Sequence, residues 1–281
     1  MKADTDKPSI LVSFASLTRF KASPECYRDW VLDSGAYSVL TSGRKIDLSE
    51  YIEVCKRLQV GRDSSKLVEV FALDVIGDPE RSARNVEIMV REGVRAIPTF
   101  HFGSQWSYLE ELARKYEKIA LGGLVARGAG GHGTRLSCKM KLKWLEQCFA
   151  RIWPKWIHGF GCCDRRLLKR LPFVSVDSTT WFYAPCRYGA IQFGGSYCDP
   201  RNSRISKLLP SAGENPIAFA SGVRIQIQWH LNLEQEVRSR FGRTLEIARL
   251  PRFCLRLGVL SNELDYWGGL KDNQRPTIID R

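Results

Sequence analysis

The sequence has no apolar run approaching the roughly 20 residues that a membrane-spanning helix requires. It has no CxxC pair among its nine cysteines, no internal repeat, and no apolar signal segment in its first residues, MKADTDKPSI. Its composition excludes a disordered, collagen-like or low-complexity protein. We therefore expect a globular protein with no membrane partner and with free thiols, located in a reducing cytoplasm.

Acidic residues are too few to balance the basic ones: 43 Lys and Arg face 30 Asp and Glu, for a net charge of +13. The excess is concentrated at residues 126–170, with 11 basic and two acidic residues, and again at residues 201–256. A solvated face usually alternates the two signs, so this clustering favours a polyanionic partner such as a nucleic acid. Many basic proteins nevertheless bind no polyanion.

The cysteine pattern does not indicate a metal site. Cys162 and Cys163 are adjacent, His158 is nearby, and Cys186 and Cys198 lie further along the chain. Neighbouring cysteines rarely ligate one tetrahedral metal together, so buried thiols are the simpler interpretation. We predict no metal and no cofactor.

Strand and helix patterns alternate along the first two thirds of the chain. Amphipathic helices are predicted at Asp47–Leu58, Asp78–Gly93, Ser104–Tyr116 and Met140–Ile152. Strands are predicted at Ser9–Ala15, Asp29–Gly35, Leu67–Val75, Arg95–Phe102, Lys118–Val125, Trp156–Cys162, Phe173–Ser178 and Ala190–Gly194. Eight strands with intervening helices predict an α/β fold of the (β/α)8 barrel type. A doubly wound open sheet is the alternative, and it is disfavoured because no glycine-rich fingerprint follows the first strand.

We predict a single domain over residues 1–281. The barrel core spans residues 9–198, and a C-terminal tail at residues 199–281 covers or closes the barrel and contains a helix around Leu233–Ala248. The segment Ala126–Lys143 is rich in glycine and then in cations, and it follows the fifth strand. It is either a mobile basic lid over the ends of the strands or an ordinary long surface loop.

Polar residues follow several of the apolar strands, where an unpaired charge would be costly. They are Asp33, Asp74, His101 and Asp177, with Gly122 and Gly123 at the corresponding place in IALGGLV. Each aspartate alone could cap a helix or bind loop amides, but three on one rim favour a site. Two carboxylates can perform glycosidic chemistry, in which one attacks the anomeric carbon and the other moves a proton. If water attacks the covalent intermediate, the enzyme is a glycosidase. If a second base attacks it, the enzyme is a transglycosylase. The residues alone do not choose between these two activities.

Five segments in this order resemble the tRNA-guanine transglycosylase family. They are DSGAY at Asp33–Tyr37, FALD at Phe71–Asp74, LGGLV at Leu121–Val125, HGFG at His158–Gly161 and SVDST at Ser175–Thr179. The resemblance covers about residues 9–195. It implies a (β/α)8 barrel that exchanges a guanine for a 7-deazaguanine base.

The resemblance also implies roles for individual residues. Asp177 matches the nucleophile that attacks the sugar, and Asp33 matches the general acid/base. Ser34 and Asp74 match residues that bind the base, Asp74 through its ring N–H and exocyclic amine. Base-binding backbone is implied at Gly122, Gly123 and Leu124. His101 stands where the family usually has a glutamine, which leaves recognition of the 7-substituent open.

The C-terminal region departs from the tRNA enzymes, which carry a CxC–x2–C plus histidine zinc site after the barrel. Here only Cys254 and His230 stand in that region, and the chain is shorter. In this respect it resembles the compact DpdA-type DNA deazaguanine transglycosylases of bacteria and their viruses. The partners implied are DNA, a free 7-deazaguanine base as second substrate, and helper proteins if strand opening requires them, in a bacterial or virus-infected bacterial cell.

Charge alone selects the residues that would contact the nucleic-acid backbone: Lys139, Lys141, Lys143, Arg165 and Arg166. Three other functions remain open at this point. The chain could be a zinc-free tRNA-guanine transglycosylase, a base-releasing N-glycosylase or another hydrolase, or a non-catalytic nucleic-acid-binding protein.

Overall fold

The computed structural model describes residues 7–20, 24–38, 43, 45–60, 66–124, 136–179, 181, 191–193, 196–198, 216–241 and 252–256. The helices there are α1 (Leu48–Val60), α2 (Pro79–Arg91), α3 (Trp106–Lys115), α4 (Cys138–Ile152), α5 (Arg165–Leu168) and α6 (Pro216–Phe241), with 3-10 helices at Phe14–Arg19 and Pro24–Cys26. The strands are β1 (Ser9–Ser13), β2 (Trp30–Asp33), β3 (Leu67–Phe71), β4 (Ala96–Ile97), β5 (Thr99–His101), β6 (Lys118–Gly122), β7 (Trp156–Gly159), β8 (Ser175–Ser178), β9 (Ile191–Phe193), β10 (Ser196–Cys198) and β11 (Arg252–Arg256). Of the helices in these ranges, none combines the length and the apolarity that crossing a membrane demands.

The protein has an α/β fold built on a parallel sheet. Hydrogen bonds join nine strands in the order β4-β3-β2-β1-β11-β8-β7-β6-β5, and every pairing in this sheet is parallel. Helices separate most of its consecutive strands along the chain. Strands β1 and β2 are nearly continuous apolar runs, as expected for strands covered on both faces.

The two end strands of this order, β4 and β5, are separated in the chain only by Pro98. On one side, the Ala72 N–H donates to the Ile97 carbonyl at 2.8 Å. On the other side, the Ala120 N–H donates to the Pro98 carbonyl at 2.8 Å. Residues 96–101 therefore bond both to β3 and to β6, and the proline, which has no N–H, marks the change of partner.

Seven of the eight predicted strands take part in the parallel sheet. The eighth, predicted at Ala190–Gly194, is a strand at residues 191–193 (β9), but it pairs with β10 in a separate antiparallel sheet, so its predicted place in the barrel is wrong. The strand beside β1 and β8 is instead β11, from the segment predicted as a tail. The predicted helix around Leu233–Ala248 begins earlier, at Pro216, and its described part ends at Phe241.

The remaining helix predictions are confirmed, together with the reason for one helix start. Asp78 caps α2 by accepting a hydrogen bond from the Arg81 N–H, and Pro79 occupies the first turn. The buried side chains of α1 and α2 pack on one side of the sheet layer with those of β1, β2 and β3. Those of α3 and α4 pack in a second cluster with β6, β7 and β8.

The opposite face of the sheet, here called the inner face, is lined by a third cluster from five strands. Its members are Leu11, Val31, Phe71, Ile97 and Ala120, with Phe160 against them. The Phe71 ring of β3 lies 4.6 Å from the His158 ring of β7, centroid to centroid. Five steps of the strand order separate β3 from β7, which would be about 24 Å in a flat sheet. The sheet is therefore strongly curled around its inner face.

A buried ion network ties α6 to the amino-terminal end of the sheet. Glu234, 4% exposed in its side chain, accepts from Arg28 at 2.8 Å and from Arg238 at 2.7 Å. Arg28 also donates to the Ser9 hydroxyl at 2.8 Å, at the start of β1. One carboxylate thus balances two cations that are largely out of water.

We expect Glu234→Gln to lower the free energy of unfolding by about 3 kcal/mol, because it removes the buried carboxylate charge that contacts Arg238 and that, together with Asp29, contacts Arg28. Glu236→Gln is the matched control on the same helix. Glu236 is 36% exposed in its side chain where it pairs with Arg165, so its loss should cost at most about 1 kcal/mol. Urea unfolding of both variants measures the difference, and equal midpoints would contradict the buried network.

His230 of α6 is a second buried polar group, 5% exposed. Its Nδ1 lies 2.7 Å from the Gln226 carbonyl oxygen, which accepts the Nδ1 proton. Its Nε2 has no hydrogen-bond partner among the described residues. Burial lowers the pKa of His230 to about 4.

This histidine predicts acid sensitivity. Between pH 6.5 and about 4 the unfolded chain binds a proton at this residue and the folded chain does not, so stability falls as the pH falls through this window. The full loss is about 3 kcal/mol. We expect His230→Leu to flatten the pH dependence by this amount in urea melts at pH 7 and pH 4.5. If the free energy of unfolding falls equally between pH 7 and pH 4.5 in the variant and in the original protein, another group causes the acid sensitivity.

Candidate functional site

Polar residues gather where the parallel strands end. Asp33 is the last residue of β2 and Asp177 the third of β8; they are 6% and 1% exposed. His101 ends β5 and Gly122 ends β6, opposite each other in register. Asp74 follows the end of β3 by three residues. Because the strands are parallel, all of these residues lie at the carboxyl edge of one sheet, where α/β proteins place their sites.

Asp74 joins side chains from two other strand ends. The Ser34 hydroxyl donates to its Oδ1 at 3.0 Å, and His101 Nε2 lies 2.9 Å from its Oδ2. Ser34 also accepts a bond from the Ala36 N–H at 3.3 Å. The structure therefore brings together the predicted residues Ser34, Asp74 and His101, here called the Asp74 cluster, directly beside Asp33.

The two glycines of LGGLV are required by their surroundings. A Cβ on Gly122 would stand 2.9 Å from His101 Cδ2, so a larger residue would push the imidazole away from Asp74. Gly123 has a φ of +80°, and its Cβ would stand 3.0 Å from the Phe102 backbone nitrogen. The Leu124 side chain is buried in the cluster with α3 and α4, so only its backbone can serve the site.

Asp177 has its own partners. Its Oδ1 accepts the Gly161 N–H at 2.9 Å, and His158 Nε2 lies 3.4 Å from the same oxygen. His158 Nδ1 lies 2.7 Å from the Ser175 hydroxyl. Our sequence reasoning assigned no site role to His158 or Ser175. The sequence did contain a clue to both residues. Ser175 and Asp177 are two residues apart in a strand, so they share one face, and the HGFG segment that contains His158 begins in the neighbouring strand.

Contacts around Phe71 relate the three carboxylates. Its ring touches His158, the neighbour of Asp177. Its carbonyl accepts the Tyr51 hydroxyl at 2.7 Å. Burial, the Cys55 thiol and then the carboxylates of Asp33 and Asp74 raise the pKa of Tyr51 well above its ordinary value. Through His158, Asp177 is linked to the same strand, β3, whose end precedes Asp74.

Two buried hydroxyls on the inner face have no hydrogen-bond partner in the described part of the chain. Ser13 Oγ lies on β1 in register with Asp33, and Thr99 Oγ1 lies on β5 next to Gly122. Both residues are 7% exposed. Buried polar atoms are normally paired, so this arrangement favours a polar ligand at the carboxyl edge.

The predicted phosphate-contacting residues divide into two groups. Arg165 forms two bonds to Glu236, at 2.9 and 3.0 Å, and Arg166 forms two to Asp164, at 2.9 and 3.2 Å. Lys139 and Lys143 are exposed and Lys141 is half-buried, and no ion pair involves these lysines within the described ranges. Residues 126–135 of the predicted lid lie outside the described residues, and residues 138–143 begin α4. Lys139, Lys141 and Lys143 are therefore better placed than Arg165 and Arg166 to contact phosphates.

The described cysteines behave as free, mostly buried thiols. Cys55, Cys148 and Cys162 are buried, while Cys26, Cys138 and Cys163 are half-buried. Burial raises the pKa of Cys55 to about 12 and raises the pKa of Cys162 well above its ordinary value. Among the described residues, no group of three His, Cys, Asp or Glu side chains could hold a metal. Cys186 and the side chains of Cys198 and Cys254 lie outside that set.

No protein-family model and no curated protein matches this chain.

Proposed function

We propose that this chain is a DNA base transglycosylase that exchanges a guanine for a 7-deazaguanine derivative through a covalent aspartyl–sugar intermediate. The observation that carries the proposal is the Asp74 cluster beside buried Asp33, at the carboxyl edge that also holds buried Asp177. One carboxylate is available for the base, one for proton transfer and one for the sugar.

We also propose that the strand order closes into a (β/α)8 barrel. Counting residues 96–101 as one strand gives eight parallel strands whose ends meet at Pro98. The contact between the Phe71 and His158 rings supports closure, because it spans the inner face. In such a barrel the active site lies at the carboxyl ends of the strands, where the three carboxylates stand.

The base would bind at Asp74. An ionised carboxylate only accepts hydrogen bonds, and guanine and 7-deazaguanine both offer a ring N–H and an exocyclic amine on one edge. These donors would replace Ser34 and His101 at the two oxygens of Asp74. The backbone of residues 122–124 would meet the exocyclic carbonyl, and the missing Cβ of Gly122 leaves room at this edge for the His101 ring.

The chemistry consists of two displacements. Asp177 attacks the anomeric carbon, and the bond from that carbon to the guanine nitrogen breaks while Asp33 gives the departing base a proton. The 7-deazaguanine then enters the same pocket and loses its ring proton to Asp33. Its nitrogen attacks the anomeric carbon, the ester bond to Asp177 breaks, and the sugar regains its original configuration. Extruding the target guanine from a duplex costs a few kcal/mol.

Incubation with radiolabelled guanine and either duplex DNA, single-stranded DNA or tRNA tests the proposal. We expect label in DNA, because the sequence has no CxC–x2–C motif of the kind that accompanies tRNA binding in the resembled enzymes. Label in tRNA alone would favour the zinc-free tRNA enzyme. Base released without an incoming base would favour an N-glycosylase. Binding without either reaction would favour a non-catalytic binding protein.

The lysines of α4 predict a salt effect. Replacing Lys139, Lys141 and Lys143 with glutamine should weaken binding equally for all sequences and lower the slope of log affinity against log salt by about 1 for each phosphate that is no longer neutralised. Lys115→Gln on α3 is the control, because Lys115 already pairs with Glu87 and Glu111 at 2.8 Å. Binding isotherms at several salt concentrations measure the slope. An unchanged slope would remove these lysines from the nucleic-acid-binding surface.

A further inference from the structure

The proposed mechanism leaves one buried group beside Asp177 without a task. His158 is 3% exposed, and on the inner face its ring packs against those of Phe71 and Phe160, at 4.6 and 4.7 Å, which also contact each other. Its Nε2 faces Asp177 Oδ1 at 3.4 Å and has no hydrogen-bond partner among the described residues. An apolar ring would pack between two phenylalanines at no polar cost, so an imidazole here requires another reason.

The neighbours of His158 select one of its tautomers. Ser175 lies 2.7 Å from Nδ1, and its hydroxyl can donate to that nitrogen. The ring proton then stands on Nε2, the nitrogen that faces Asp177. The opposite tautomer would turn a nitrogen lone pair towards a carboxylate oxygen. The arrangement is therefore a chain in which Ser175 donates to His158 and His158 points its N–H at Asp177.

We propose, on the basis of the proposed function, that His158 is a positioning residue for the Asp177 carboxylate. Beside the Gly161 N–H that Oδ1 accepts, its N–H faces the same oxygen at 3.4 Å, and this dipole favours the negative charge of the free carboxylate over the neutral carbonyl of the sugar ester. Its effect is greatest in the second displacement, when the ester bond breaks and its electron pair returns to the carboxylate. His158 itself gains and loses no proton.

The partition between the free enzyme and the covalent adduct tests this role. The enzyme is mixed with a guanine-containing DNA, and the adduct is counted on a denaturing gel against added free guanine. In His158→Phe we expect the guanine concentration that halves the adduct to rise about tenfold, because the leaving carboxylate then loses the N–H dipole that faces it. His158→Gln, whose amide N–H replaces Nε2–H, should restore it to within about threefold. His230→Leu is the control for loss of a buried histidine elsewhere.

A merely structural role would lower activity and stability without moving this partition. The inference is overturned if His158→Phe and His158→Gln shift the partition equally, or if His158→Phe leaves it unchanged. Nitrogen-15 NMR of the unsubstituted protein gives a second test that needs no activity. The signals missing from His158→Gln identify His158, and an Nδ1–H tautomer would overturn the inference. If the protein forms no adduct with DNA or tRNA, the proposed function fails, and the role of His158 in catalysis fails with it even where the tautomer is Nε2–H.

Discussion

Asp177→Asn is expected to abolish base exchange, with a rate at least about 10,000-fold lower, while binding of nucleic acid stays within about threefold. The amide cannot form the ester that the proposed cycle needs, yet it has nearly the shape of the carboxylate. Its oxygen can still accept the Gly161 N–H that Asp177 accepts at 2.9 Å. The fold and the binding surface should therefore survive.

Exchange of radiolabelled guanine measures this effect, and filter binding measures the affinity. Asp164→Asn is the control. Asp164 lies between β7 and α5, caps α5 and pairs with Arg166, and it does not belong to the Asp74 cluster. It should keep exchange within a few-fold. Normal incorporation by Asp177→Asn would show that another group attacks the sugar.

Asp33→Asn is expected to lower turnover by about 100-fold to 10,000-fold, the usual range for loss of a general acid/base. Asp33 is 6% exposed, adjoins Ser34 and lies in register with Ser13, so it stands between the base-binding cluster and the sugar side of the edge. The asparagine can neither protonate the departing base nor take the proton of the incoming one. Both half-reactions should therefore slow.

Single-turnover measurements of adduct formation and adduct resolution separate the two half-reactions. The signature expected of Asp33→Asn is a comparable slowing of both, with covalent chemistry still detectable because Asp177 is intact. Asp164→Asn, outside the Asp74 cluster, again serves as the control. If only one half-reaction slows, two different groups move the proton.

Much of the site followed from one rule, that a polar residue directly after an apolar parallel strand lies at the carboxyl edge. Asp33, His101 and Gly122 obey it because their strands are adjacent or end at the same level. The contact between Asp74 and Ser34 could be expected for the same reason. The link between His158 and Phe71 could not, because it depends on the curl of the sheet across five strand steps.

The C-terminal third shows what local patterns miss. The segment RFCLR at 252–256 has charges at both ends and gives little strand signal, yet it fills the place between β1 and β8. Counting charges along the sequence likewise does not show which basic residues are paired in the fold. Arg165 belongs to the most basic stretch of the chain, but its partner Glu236 comes 71 residues later, on a helix that the count does not include.

The position of β11 also bears on how the chain is made. The ribosome must release residues 252–256 before β1, synthesised first, acquires its second neighbour. During that interval β1 and β8 each present an open row of backbone donors and acceptors, which is the kind of surface that recruits other nascent chains. The pairing of β1 with β8 through β11 therefore has to wait until residues 252–256 have been synthesised.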